Sequence, residues 1–195
     1  MLEKLLQFTK LLDEFRAVER VVRVTGQARY ENDTEHSYNL AMLAWYLVSS
    51  TKINLDQDKV IRYALVHDFL EVYAGDTYIY SENAALLASK HAREAAAIVK
   101  LRETLAEFPD LHATIDAYES RKDAESRFVY ALDKIEPILH MYLDGGRTWK
   151  EEKVDLGKLY ESKRDKVALS PEVKSYFDEL MTLLQSKETE LFGGL

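Results

Sequence analysis

Three short segments place histidines and carboxylates where a helical core would ask for apolar side chains. They are Thr34-Glu35-His36-Ser37, Ala64-Leu65-Val66-His67-Asp68-Phe69-Leu70-Glu71 and Tyr130-Ala131-Leu132-Asp133-Lys134-Ile135-Glu136-Pro137. Such groups are costly to bury unless they are paired or hold a metal. His36, His67, Asp68 and Asp133 make a reasonable ligand set for one divalent cation. Imidazole suits Mn, Fe, Co, Ni or Zn, and carboxylates shift the set towards Mn and Mg. Four protein ligands leave room for water and substrate only at a five- or six-coordinate ion, which favours an open octahedral site over a closed tetrahedral zinc. Glu71 follows His67 by four residues and Asp68 by three, so on a continuous helix all three overhang neighbouring turns, about 5–6 Å apart at Cβ for the i, i+4 pair. Pro137 cannot donate to the carbonyl of residue 133 and crowds it, which predicts a kink near Asp133. Nothing around His91, His112 or His140 completes a site, so hydrogen-bonded or surface roles are expected for them. Lys90, Arg93 and the charge-rich stretch 151–164 are expected to form solvated helix faces.

The elements that must carry these groups read as helices. Leu2, Leu5, Leu6, Leu12 and Phe15 recur at helical spacing, a stripe for the core or a dimer interface. Residues 18–30 are β-branched and basic around Gly26 and read as an irregular connector. Asn32, Asp33 and Thr34 are N-cap residues, so a helix is expected from there to about Ser50. Further helices are expected over about 57–73, stopped by Gly75, over 83–107, from Pro109 to about 121, and over 124–143, ended by Gly145-Gly146. The tail is expected to form a helical stretch over 148–166 and a last helix from Pro171 to about 191. Between Gly75 and the long Ala-rich helix, residues 76–81 read as a polar and aromatic loop. The layout is all-α, six to eight helices around one core spanning 1–195, with 151–195 packed on a body of about 15–150.

Composition sets limits. The chain has 195 residues, 47% of them hydrophobic, but only 7 Gly and 3 Pro, too few breakers for a β-rich fold of this length. A net charge of −8 argues against a nucleic-acid polymer as partner. A small phosphorylated ligand remains compatible, because a cation and a few placed Lys or Arg can reverse the field locally. No cysteine is present, which excludes disulfides, thiolate zinc sites and thiol catalysis. The longest apolar run is about half the roughly 20 residues a membrane helix needs, so no membrane association and a cytoplasmic location are expected.

The order His36, then His67-Asp68, then Asp133 resembles the H…HD…D signature of HD-domain phosphohydrolases. The flanking text, Glu31-Asn32-Asp33-Thr34-Glu35-His36-Ser37 and His67-Asp68-Phe69-Leu70-Glu71-Val72-Tyr73-Ala74-Gly75-Asp76, is similar to the 5′-deoxynucleotidase subgroup. The likeness implies an orthogonal helical bundle, commonly a homodimer, that removes phosphate from nucleoside 5′-monophosphates, with a preference for deoxyribonucleotides. It implies His36, His67, Asp68 and Asp133 as metal ligands, with Glu71 and Asp76 in acid/base and water-positioning roles. The subgroup's Arg-Trp pair before the first histidine is replaced by Glu19-Arg20-Val21-Val22-Arg23-Val24, which leaves Arg20, Arg23 or Arg29 to supply phosphate contacts. The loop Thr77-Tyr78-Ile79-Tyr80 lacks the prolines often found there, and its tyrosines are available to stack on a base. The alternatives are an HD hydrolase acting on nucleoside di- or triphosphates or a cyclic nucleotide, and a non-catalytic scaffold, which predicts a degraded ligand set.

Overall fold

The computed structural model describes residues 1–78, 80 and 83–193. Its element of first importance begins at Asn32, which stands in extended backbone. The Asn32 side chain accepts from the Glu35 amide at 3.0 Å, and Glu35 accepts from the Asn32 amide at 3.2 Å. This reciprocal capping satisfies two donors that a helix start leaves orphaned, and it launches α2 (Asp33–Ser50) after α1 (Leu2–Arg16).

The segment between them corrects the expected irregular connector. β1 (Glu19–Arg23) and β2 (Tyr30–Asn32) form an antiparallel hairpin, with Glu19 opposite Asn32 and Arg23 opposite Tyr30. Valines at 21 and 22 favour extended backbone, and Gly26, at φ +72°, lets the chain reverse. Asp144 accepts from the Gly26 amide at 2.9 Å, and Arg147 donates to the Gln27 carbonyl at 2.6 Å. These bonds pin the hairpin tip, so β1 can hold a side chain at a fixed place.

The expected helix over 57–73 is also interrupted. α3 (Gln57–Val66) stops at His67, and α4 (Glu71–Ala74) resumes after four turn residues. His67 Nδ1 donates to the Ala64 carbonyl at 2.8 Å, and the following amides bond three residues back, Phe69 to Val66 and Glu71 to Asp68. A side chain that bonds a nearby carbonyl competes with the helical ladder, and the tightened turns re-aim Asp68 and Glu71. Gly75, at φ +71° and ψ 149°, ends α4 in backbone that side chains rarely adopt.

The remaining helices follow closely: α5 (Ala84–Thr104), α6 (Pro109–Ser120) with Pro109 in its first turn, and α7 (Ala124–Leu143), which runs through Pro137 as one element. The stretch expected as one helix over 148–166 is split into α8 (Arg147–Glu151) and α9 (Leu156–Val167), with Lys153 at positive φ between them and Asp155 capping the second. α10 (Pro171–Ser186) and α11 (Glu188–Phe192) complete the described residues. Eight helices reach ten residues or more, in line with the all-α expectation, and the hairpin is the one sheet among the described residues. Residues 79 and 81 of the expected 76–81 loop lie outside the described residues.

The main core joins Leu40, Ala44 and Leu47 of α2 to Tyr63 and Ala64 of α3 and to Phe128, Leu132 and Ile135 of α7, with Val173, Phe177 and Leu184 of α10 on the far side. Each fully buried Leu, Ile, Val or Phe among them contributes about 1.5–3 kcal/mol. A smaller cluster centres on Phe15 and Phe69, whose rings meet edge-on at 5.2 Å. The two clusters flank the break between α3 and α4 and hold it rigid from both sides. No described helix is long and apolar enough to cross a membrane.

Candidate active site

His36 enters from the first turn of α2, His67 and Asp68 from the end of α3, and Asp133 from the middle of α7. Each offers a ligand atom within 4.8 Å of the others. His36 Nε2 is 3.1 Å from Asp133 Oδ1 and 3.8 Å from Asp68 Oδ2, and His67 Nε2 is 2.9 Å from Asp68 Oδ2 and 3.8 Å from Asp133 Oδ1. First-row divalent ions bond N and O at about 2.0–2.2 Å, so neighbouring ligands of one ion stand about 3 Å apart. The spacing suits that requirement. His67 supplies a second test of fit. Its Nδ1 is committed to the Ala64 carbonyl, so Nε2 is the ring nitrogen left to serve as a ligand. That buried Nε2 has no hydrogen-bond partner, although Asp68 is close. A bare nitrogen aimed at carboxylates is what a cation would complete.

Behind this set lies a second layer that the sequence reading passed over. Glu136, one turn beyond Asp133, contacts His36 Nδ1 at 3.1 Å and His140 Nε2 at 2.9 Å, and Glu31 of β2 stands 3.8 Å from His36 Nδ1. His140, expected in a hydrogen-bonded or surface role, is hydrogen-bonded, and its partner Glu136 links it to His36. Burial and Arg20 work to lower the His36 pKa, but Glu136 and Asp133 outweigh them and push it up to about 10. Burial works to raise Glu136, yet His36 and His140 hold it at about 2. The signal was available: Glu136 interrupts an apolar run three residues after Asp133.

Arg20 donates to Asp68 at 2.8 Å and to Asp33 at 3.2 Å. Asp33, expected only as a cap residue, is fully buried, and burial with Asp68 nearby raises its pKa to about 6. Glu71 is close enough to Asp33 and Asp68 to form an acidic group with them, and its Oε2 is buried without a hydrogen bond. Burial first, then Asp68, Asp76 and Asp33, push the Glu71 carboxyl well above the usual range. Asp76 is also raised, by burial and Asp68 against the opposing pull of Arg20. Arg93 of α5 ties down the turn that carries Asp76. Its guanidinium donates to the Ala74 carbonyl and, at 2.7 Å, to Thr77 Oγ1. It is thus a positioning group and not part of a solvated face.

A cavity of about 450 Å³ opens over this floor, lined by His67, Asp68, Glu71, Asp76, Asp133 and Arg20. Its volume lies in the range of small-molecule sites. The other two candidate arginines lie elsewhere. Arg23 pairs with Glu151 at 2.7 Å and packs over the Tyr30 ring, and Arg29 pairs with Glu35 at 2.6 Å. Both are spent on structural contacts and do not line the cavity. Tyr78 and Tyr80 do line it, edge-on to each other at 5.4 Å.

Residues 12–174 match the HD domain family. The chain belongs to that family. Among curated HD-domain relatives, 5′-deoxynucleotidase HDDC2 of Bos taurus is 34% identical over 138 residues and that of Homo sapiens 33%, each match covering 69% of this chain. The chain spans about 65% of the length of those two relatives. A crystal structure described as a predicted metal-dependent phosphohydrolase from Magnetospirillum magnetotacticum superposes with a TM-score of 0.80. It is 30% identical and covers 95% of this chain and 93% of its own.

Proposed function

We propose that this HD domain is a divalent-metal-dependent phosphomonoesterase acting on nucleoside 5′-monophosphates, with deoxyribonucleotides preferred. The observation that carries the reading is the convergence of His36, His67, Asp68 and Asp133, the last three lining, with Glu71 and Asp76, one cavity. The 5′-deoxynucleotidase relatives support the substrate class. His36, His67, Asp68 and Asp133 hold the ion. When bound, it stabilises charge on the phosphoryl oxygens and lowers the pKa of water.

The chain's own groups do the rest. Water oxygen bonds to phosphorus as the bond from phosphorus to the 5′-oxygen breaks. One carboxylate takes a proton from the water and one carboxylic acid gives its proton to the 5′-oxygen, so nucleoside and inorganic phosphate leave. Glu71 and Asp76 are the pair for these transfers. Burial and the neighbouring Asp68 raise both carboxyls, the direction a proton donor needs. Arg20 holds Asp68 and Asp33 in place, and Tyr78 and Tyr80 offer aromatic surface to the base.

We also infer a homodimer in the cytoplasm. Leu2, Leu5, Leu6 and Leu12 of α1 and Tyr38, Met42, Trp45 and Tyr46 of α2 are exposed, apolar side chains that a second copy would cover. Sedimentation would show a single species of twice the chain mass. The catalytic reading is tested by stripping the protein of metal and assaying phosphate release from a nucleotide panel with added Mn²⁺, Co²⁺, Mg²⁺ or Zn²⁺. Release from monophosphates that needs both metal and Glu71, lost in E71A, is expected. Release confined to di- or triphosphates would overturn the substrate class. Tight metal binding without turnover of any nucleotide would favour the scaffold reading.

A further inference from the structure

The cations that line the cavity are almost all neutralised by the protein itself. Arg20 serves Asp33 and Asp68, Lys134 contacts Asp133, and Arg93 is bound to the turn at Thr77. Lys90 stands 3.7 Å from Glu94, and Arg121 lies over the Tyr118 ring at 3.6 Å. Two lysines break the pattern. Lys163 and Lys166 of α9 line the same cavity, yet neither makes a hydrogen bond or ion pair with any described residue. They are three residues apart, so they share one face of α9, and both are only half exposed.

A poorly solvated cation without a counter-charge is unfavourable. Here the neighbours make it worse. Burial, then Lys134 and Lys166, then Arg20 push the Lys163 pKa down to about 7 against the pull of Asp133. Lys163 lines the same cavity as Lys134, Asp133, Asp68 and His67, so it faces the chamber of the ligand set. A protein that gathers like charges around an open cavity, and leaves them unpaired, is built for an anion to complete.

We propose that Lys163, seconded by Lys166, binds the non-bridging oxygens of the phosphate group that this site hydrolyses, and retains inorganic phosphate after cleavage. The proposal rests on the phosphohydrolase reading and adds α9 to the substrate-binding wall. Lys163 is then a substrate-binding residue, and its cost in the empty protein is the counterpart of its use in the complex.

The test uses the full chain loaded with Mn²⁺ and inorganic phosphate as probe. Wild type, K163M, K163R and K166M are compared for phosphate affinity by calorimetry, for KM and kcat on a nucleoside 5′-monophosphate, and for Tm without ligand. A charge-assisted contact is worth about ten- to a hundredfold in affinity. K163M should weaken phosphate binding at least tenfold and raise KM, while its Tm stays level or rises because a repelled cation is gone. K163R should stay within about threefold of wild type, since it keeps the charge. Unchanged phosphate affinity in K163M overturns the proposal, as does a fall in Tm that tracks the loss of binding, which marks a structural lysine. A defect confined to a nucleoside 3′,5′-bisphosphate also overturns it, by moving the lysines to a second phosphate. Wild type that turns over normally beside an unaffected K163M leaves the phosphohydrolase reading intact. Wild type that neither binds phosphate nor turns over removes both.

Discussion

Replacing Arg93 with alanine tests how the acidic turn is held. The guanidinium reaches four acceptors: the Ala74 carbonyl, Thr77 Oγ1 at 2.7 Å, the Leu86 carbonyl at 3.3 Å and Ser89 Oγ at 3.3 Å. The first two bracket Gly75 and Asp76, and Ala74 and Thr77 are themselves buried. A hydrogen bond from a charged donor is worth about 1.5–3 kcal/mol when its partner is left buried. Water can enter from the cavity and replace part of that, so the loss for the two close bonds is about 2–3 kcal/mol in stability. For a chain of this size each kcal/mol moves Tm by about 2–4 °C, so R93A should melt about 4–12 °C lower. The effect on turnover should be larger in proportion. Freed of Arg93, the turn relies on Gly75, the residue least able to restrain it, and a 1 Å misplacement of a reacting group costs about 10²-fold. R93A is therefore expected to lose about 10²-fold in kcat at saturating metal, with R93K intermediate because one ammonium cannot span both acceptors. Melting curves and steady-state kinetics on the three proteins decide the matter. A variant that melts lower yet keeps its kcat within twofold would refute the reasoning, since Arg93 would then only fasten α5 to α4.

Removing the cation with a chelator should lower Tm, and adding Mn²⁺ to a hundred times its dissociation constant should restore about 2.7 kcal/mol, read as a rise of about 5–11 °C; a Tm indifferent to metal would contradict the ligand set. Gly146 sits at φ +73°, and a Cβ there would stand 2.0 Å from the Leu191 carbonyl oxygen, so G146A must move backbone and should cost about 2–4 kcal/mol in a denaturant titration, where G145A, with open space around it, costs only its positive φ. Lys163 makes stability depend on pH in a definite direction. Its pKa falls from 10.5 in the unfolded chain to about 7 when folded, so between those values the unfolded state holds the extra proton and stability rises with pH. K163M should lack that rise, and its advantage over wild type should be greatest below pH 7 and close towards pH 10.

The two halves of the site differ in how far they could be read before folding. His36, His67, Asp68 and Asp133 stood out because each interrupts apolar helical periodicity, a local contrast that survives without coordinates. Glu71 was set beside them by its helical spacing and Asp76 only by the family resemblance, and the helix expected to carry Glu71 is broken by His67 taking the Ala64 carbonyl, a side-chain competition that periodicity does not register. The hairpin was misread as a connector because five residues of strand in a helical chain carry little pattern, and with it went the choice among arginines. Arg20, Arg23 and Arg29 look equivalent in sequence. Only the alternation of β1 and the anchoring of its tip decide that Arg20 meets Asp68 while Arg23 turns to Glu151. Lys163 was hidden differently, inside a charge-rich stretch whose ordinary meaning is a solvated face. That meaning holds for Glu161, Arg164 and Asp165, which are exposed, and fails for Lys163 and Lys166, which share the inward side of the same helix. A charged helix becomes a binding wall through which of its residues another part of the chain covers, and that choice is made by the packing of α9 on α7, not by α9 itself. Replacing Lys163 and Lys166 together with methionine should therefore remove the wall's charge while leaving His36, His67, Asp68, Asp133, Glu71 and Asp76, and the α10 side of the core, in place. If phosphate affinity in such a variant equals that of wild type with its fold intact, the wall has no role and the metal set alone accounts for binding.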